Sequence, residues 1–203
     1  MISFSEEQNL KLKKLTTLVE DKAKVVNITS IRDFDGIWQK HVVDSLEFLN
    51  TEFFKSHNNE KFTYMDYGTG AGFPGLPLAI MLPDSKFSLV DSTRKKVEIV
   101  NAFSKELRLE NVQTIWSRAE DLDRKFDVVL ARAVKYLPNL LRSSVEFVSK
   151  SGYIVAYKML NEEEIKAGDD VCEELSLIKI EEYKYSLSGQ DRLILIYQKK
   201  SPR

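Results

Sequence analysis

From residue 61 onward, short β-branched and aromatic runs alternate with amphipathic stretches, and few folds accommodate that alternation. Residues 61–66, 86–90, 112–116, 126–130 and 152–158 have strand length and strand composition. Residues 74–81, 92–107 and 137–148 lie between them with helical spacing, the second with Val97, Val100, Phe103 and Leu107 on one side. Strands that alternate with helices run parallel, because each connection must cross back over the sheet, and the helices cover both faces. After an acidic helical segment, residues 177–187 and 192–198 are separated only by a short turn containing Ser188, Gly189 and Gln190. Runs joined so closely pair antiparallel. The expectation is an α/β protein with a seven-stranded, mostly parallel sheet and one antiparallel strand.

The first 60 residues read differently. Residues 5–23 form an amphipathic pattern with Leu10, Leu15, Leu18 and Val19 near helical spacing, and Ser3 and Ser5 offer capping hydroxyls at its start. A second helix is expected over 32–49, with Ile37, Trp38, His41, Val42, Ser45, Leu46 and Leu49 on one stripe. The chain of 203 residues suits one domain, 1–203, in which a helical N-terminal cap (1–60) covers a cofactor-binding core (61–203).

Charge matters only when divided along the chain. Thirty Lys and Arg nearly balance 31 Asp and Glu, yet residues 161–182 carry nine acids against Lys166 and Lys179. That segment nets −7 and leaves a body of +6, basic enough to meet a polyanion. One Cys and two His leave no Cys-rich zinc site and no internal disulfide, so no metal is expected. No apolar run approaches the roughly 20 residues of a bilayer span. The N-terminus has no apolar signal core, and a cytoplasmic protein without a membrane partner is expected.

The chemistry concentrates where the first strand ends. Asp66-Tyr67-Gly68-Thr69-Gly70-Ala71-Gly72-Phe73-Pro74-Gly75 follows that strand and opens a helix. In an open α/β sheet this turn sits at the carboxyl ends of the strands, where ligands bind. Glycines let the backbone approach a ligand closely. Gly68, Gly70 and Gly72 are spaced G-x-G-x-G, so Phe73 stands where a dinucleotide fingerprint has its third glycine, and there is no P-loop. Asp91 closes the second strand, where its carboxylate can accept both hydroxyls of a ribose or cap the following helix. Together with a terminal hairpin, these features favour S-adenosylmethionine over a nicotinamide.

At this point the chain resembles the glucose-inhibited division protein B family, the small-subunit ribosomal RNA methyltransferases G. The matching stretches are Asn27–Thr29, His41–Leu46, Asp66–Gly75, Leu89–Lys96, Ser117–Glu120, Phe126–Val129, Ala131–Ala133 and Ala156–Lys158, in order over residues 25–160. The resemblance implies a Rossmann-like class I S-adenosylmethionine-dependent methyltransferase fold. It implies methylation of N7 of one guanine in 16S rRNA, in a loop near the decoding centre. It also implies cofactor contacts from Gly68, Phe73, Ala119, Glu120 and Arg132, beside Gly70, Gly72 and Asp91 of the turn and second strand. Tyr67 stands where the family has a small aliphatic residue, and Met159-Leu160-Asn161 replaces an expected glycine after Lys158.

Guanine N7 carries a lone pair and no proton, so its methylation needs placement and no general base. No catalytic side chain is therefore expected. No Asp/Asn-Pro-Pro-Tyr/Phe follows the fourth strand, and the one thiol, Cys172, lies far along the chain from the glycine turn. Arg94, Lys95, Arg118, Lys135 and Lys158 follow strand ends and converge on one edge of a parallel sheet, where with His41 they can meet RNA phosphates. The expected partner is small-subunit rRNA or the 30S subunit, with no DNA, and the expected state is a monomer. Competing readings keep the fold but give it a small-molecule or protein acceptor, or a non-catalytic nucleotide- or RNA-binding role.

Overall fold

A computed structural model of the chain describes residues 4–118, 122–133 and 135–200. The N-terminal cap begins with α1 (Glu6–Val25), closed at its start by a capping box: Gln8 N donates to Ser5 Oγ and Ser5 N donates to Gln8 Oε1. Its buried stripe is Leu12, Leu15, Thr16, Val19 and Ala23. Leu10, expected to face inward, is 62% exposed, because the sheet side of α1 is set by the i, i+3, i+4 series that starts at Leu12. The second helix is not continuous. α2 (Phe34–Ile37) passes through one π-helical turn, Trp38–Val43, into α3 (Asp44–Leu46), a 3-10 turn at Glu47–Asn50, and then α4 (Glu52–Ser56).

The sheet has seven strands: β1 (Thr63–Tyr67), β2 (Lys86–Asp91), β3 (Val112–Trp116), β4 (Phe126–Arg132), β5 (Val148–Met159), β6 (Leu177–Leu187) and β7 (Gln190–Lys199), in the order β3-β2-β1-β4-β5-β7-β6. The first five are parallel neighbours, and β7 runs antiparallel to both β5 and β6. The reversed strand is thus the one inserted by the terminal hairpin. Helix α5 (Gly75–Met81) joins β1 to β2, α6 (Arg94–Glu106) joins β2 to β3, α7 (Leu137–Ser144) leads toward β5, and α8 (Glu162–Asp170) toward β6. The acidic segment is therefore divided among a helix, the turn after it and a strand.

Period-two alternation assigns the two faces. Tyr64, Phe87, Leu89, Val128, Leu130, Ile194 and Ile196 join one core with α1, α5, α6 and the cap residues Ile37, Val42 and Phe48. Met65, Tyr67, Val129, Ala131, Leu193, Leu195 and Tyr197 join the other with Leu140 and Leu141 of α7 and Ile165 of α8. The topology reverses at β1, whose neighbours β2 and β4 lead off in opposite directions, and this opens a crevice at the carboxyl ends. Among the described residues no helix is long and apolar enough to cross a membrane.

Candidate active site

The loop after β1 is built from its glycines and one buried acid. Gly68 N and Thr69 N both donate to Val90 O at 2.9 Å, which pins the turn to β2. Gly68, Gly70 and Gly72 have φ of 72°, 60° and 96°, values that side chains other than glycine rarely adopt. Their roles differ. A Cβ at Gly70 would meet nothing nearer than Gly68 O at 3.9 Å, so this backbone faces open space. A Cβ at Gly72 would come within 2.4 Å of Leu76 Cδ1, so Gly72 lets the turn pack on its own helix. Asp66, fully buried, accepts from Thr69 Oγ1 at 2.6 Å and from Gly75 N at 2.9 Å, both on Oδ2, while Oδ1 has no partner among the described residues. Burial pushes its carboxyl up to about 6, against the opposing pull of those two hydrogen bonds.

Over this turn lies a cavity of about 740 Å³, within the size range of small-molecule sites. Gly68, Thr69, Gly70, Ala71 and Phe73 form its floor, and Asp91 one wall. Asp91 accepts from Gly70 N at 3.0 Å through Oδ2 and from Thr93 N at 2.8 Å through Oδ1. The carboxylate thus orders both the glycine turn and the approach to α6, and it still has lone pairs for a ligand's hydroxyls.

The opposite wall comes from the cap. His41 stacks on Phe73 with ring centroids 4.9 Å apart and planes 25° apart, and the Arg132 guanidinium lies 5.3 Å from the same ring. Arg132 Nη2 is 3.1 Å from His41 Nδ1. An arginine only donates, so Nδ1 accepts, and the ring proton sits on Nε2, which donates to Thr29 Oγ1 at 2.8 Å. Burial, reinforced by the Arg132 charge, lowers His41 to about 4, so the ring is neutral. Arg132 Nη1 pairs with Asp44 Oδ2 at 3.0 Å, and Asp44 Oδ1 takes Arg192 Nη1 at 3.1 Å and Tyr185 Oη at 2.7 Å. One buried acid thereby joins the cap to β4 and to the β6–β7 hairpin.

The expected RNA-facing bases separate into three groups. His41, Arg118 and Lys135 line the cavity. Arg94 sits on α6 outside it, paired with Glu98 at 2.8 Å and lying over the Trp116 ring, and Lys95 beside it is exposed. Lys96, not singled out beforehand, is the α6 lysine that reaches the cavity. Lys158 turns inward: its ammonium pairs with Glu164 at 2.6 Å and donates to Lys135 O. Ala119 and Glu120 lie outside the described residues. Tyr67, the unexpected residue of the turn, accepts from Lys135 Nζ at 2.8 Å and so fixes a cation at the cavity rim. Asp66, Thr29 and Asp44 were not among the expected site residues, although each lies in a stretch that carries the family resemblance, and Asp44 also shares a helix face with His41 at three-residue spacing.

Two solved structures share this fold. A methyltransferase from Pyrococcus furiosus superposes with a TM-score of 0.64 at 16% identity, covering 93% of this chain and 98% of that one. M. jannaschii TYW2, solved in complex with AdoMet, gives 0.59 at 15% identity over 99% of this chain and 79% of its own. Likeness at that identity concerns the fold, and the fold is that of the class I S-adenosylmethionine-dependent methyltransferases. Sequence comparison narrows the class. The family model for rRNA small subunit methyltransferase G, GidB, matches residues 8–194. The ribosomal RNA small subunit methyltransferase G of Fusobacterium nucleatum subsp. nucleatum is 36% identical over 200 residues, 96% of this chain and 84% of that relative. The chain belongs to the GidB family.

Proposed function

We propose that this chain uses S-adenosylmethionine to methylate N7 of a specific guanine in 16S rRNA, in the loop near the decoding centre, acting in the cytoplasm as a monomer on rRNA or on the 30S subunit. The observation that carries the reading is the open backbone of Gly70 beside the Asp91 carboxylate, inside a chain of this family. A nucleoside fits there: its ribose hydroxyls meet Asp91, and its remaining length lies along Gly68 and Gly70. Ala119 and Glu120 are assigned to the cofactor, as the family resemblance implies. Gly72 acts by shaping the turn.

The donor, when bound, supplies an electrophilic methyl group on a sulfonium. The N7 lone pair forms the new N–CH3 bond, and the electron pair of the broken S–CH3 bond stays on sulfur. No proton moves, so the protein's part is alignment and the exclusion of water. The neutral His41 ring and Phe73 supply an apolar wall, and Arg132, held by Asp44, braces that wall. The purine becomes cationic as it reacts, which favours hydrogen-bond acceptors near the base. Arg118, Lys135 and Lys96 at the rim suit RNA phosphates.

Calorimetry with S-adenosylmethionine, and in parallel with NAD, tests the donor assignment. The proposal predicts binding of the first alone. Binding of NAD instead would overturn it. Transfer of tritiated methyl to small subunits from a strain lacking this protein tests the acceptor class.

A further inference from the structure

A second cavity, about 540 Å³, opens beside the first and shares Arg132, Ala133 and Lys135 with it. Its other lining residues include Asp44, Tyr136, Met159, Glu164, Tyr185 and Arg192. We propose that it receives the acceptor guanine, swung out of its RNA, and that Glu164 reads the N1–H and N2–H2 edge of that base. The proposal rests on the methyltransferase reading above and adds which residues select the purine.

Three features point there. First, the rim carries the wrong kind of surface for plain solvent contact. Tyr136 is 52% exposed and Met159 46% exposed, and an aromatic face with a polarizable thioether suits a stacked base. Second, the two carboxylates of the cavity are in different states. Asp44 is 1% exposed and saturated by Arg132, Arg192 and Tyr185. Glu164 takes Leu137 N at 2.8 Å and Lys158 Nζ at 2.6 Å, both on Oε1, so Oε2 is the oxygen open to a ligand. Guanine differs from adenine in carrying hydrogen at N1 and an amine at C2, and a carboxylate accepts from both. Third, the parts are held in register. Leu137 N, the residue after Tyr136, is the donor to Glu164, and Asn161 Oδ1 caps Glu164 N at 3.0 Å. The stacking ring and the reading carboxylate are thereby fixed relative to each other. A guanine held by its N1–N2 edge at Glu164 presents N7, on the far side of the ring system, toward the shared residues and the donor cavity. Among the described residues no His or Cys lines this cavity, which suits an acceptor that loses no proton.

Glu164→Gln keeps an oxygen for Leu137 and Lys158 and removes the second acceptor. The test is a cycle between this variant and the base itself, on small subunits reconstituted with guanine or with inosine, which lacks the 2-amino group, at the methylated position. Wild-type protein is expected to lose about 10- to 100-fold in kcat/KM on inosine, which keeps N1–H and loses only the 2-amino hydrogen bond to the charged Oε2. The variant is expected to lose a similar factor on guanine and little more on inosine, with its S-adenosylmethionine Kd unchanged. Tyr136→Ala is expected to lower kcat/KM with the same unchanged Kd. Fully additive losses, with inosine discrimination intact in the variant, overturn the role of Glu164. Methyl transfer to RNA that ignores Tyr136→Ala and Glu164→Gln alike overturns the pocket. Donor binding with no transfer to any RNA overturns the methyltransferase reading itself, and the pocket with it.

Discussion

Gly70 and Gly189 make the same demand on the backbone in two different turns, one after β1 and one between β6 and β7. Both have positive φ, 60° and 73°, and neither has a close neighbour where a Cβ would stand. They differ in what the open space is for. Gly70→Val adds left-handed strain of about 1–2 kcal/mol and fills the donor cavity, so S-adenosylmethionine binding is expected to weaken more than tenfold. Gly189→Val, in the β6–β7 turn, carries comparable strain and is expected to leave the Kd unchanged. Calorimetry on both variants separates ligand approach from strain. Buried titratable groups give a second prediction at this scale. Asp66 titrates higher in the folded protein than in the unfolded chain, so its contribution to stability falls as pH rises from about 4 to about 6. His41 titrates lower than in the unfolded chain, so its contribution falls as pH drops from about 6.5 to about 4. The two oppose each other across the same range. Denaturant unfolding from pH 4 to 7 is expected to be steeper in pH for Asp66→Asn, where only the His41 trend is left, and to slope the other way at this site for His41→Gln. Identical profiles for both variants would contradict the assignment.

At the scale of elements, the cap is joined to the sheet through Asp44 as much as through its apolar stripe. Asp44 holds Arg132 on β4, Arg192 on β7 and Tyr185 on β6, and at the next residue Tyr157 of β5 donates to Ser45 O at 2.8 Å. Asp44→Ala leaves two largely buried guanidiniums without their counterion. The expected loss is about 3–5 kcal/mol of unfolding free energy, with weakened donor binding because Arg132 and His41 lose their brace; chemical denaturation measures the first. Much of this level was legible in advance. Strands and connecting helices announce themselves by periodicity, and the short link between β6 and β7 dictates antiparallel pairing. The π turn at Trp38–Val43 was not legible, because one extra residue in a helical turn leaves the apolar stripe nearly unchanged. Leu10 misled for a related reason: α1 offers Leu10 and Leu12 alike, and only the partner surface decides which row is buried. The glycine turn and Asp91 stood out because glycines at strand ends are costly unless used. Asp66 and Asp44 lie in the matching stretches, but their roles were not legible, since burial and counterions belong to tertiary structure.

For the whole molecule, near-neutral charge hides an uneven distribution. The acids of 161–182 lie on α8, the turn after it and β6, whereas Lys96, Arg118 and Lys135 ring the donor cavity. If these three meet phosphates of single-stranded RNA, log affinity falls with log salt at a slope of about −2, and binding weakens roughly tenfold or somewhat more between 50 and 200 mM salt. Arg118→Ala is expected to flatten that slope by about 0.7 while leaving the S-adenosylmethionine Kd unchanged. The central claim concerns an atom, and one measurement reaches it directly. Small subunits from a strain lacking this protein are incubated with it and S-adenosylmethionine, and the rRNA is then cleaved chemically at N7-methylguanine. The account predicts one new cleavage, at a single guanine of the small-subunit rRNA and dependent on the donor. Methyl incorporation without cleavage, or cleavage scattered over many guanines, would contradict it.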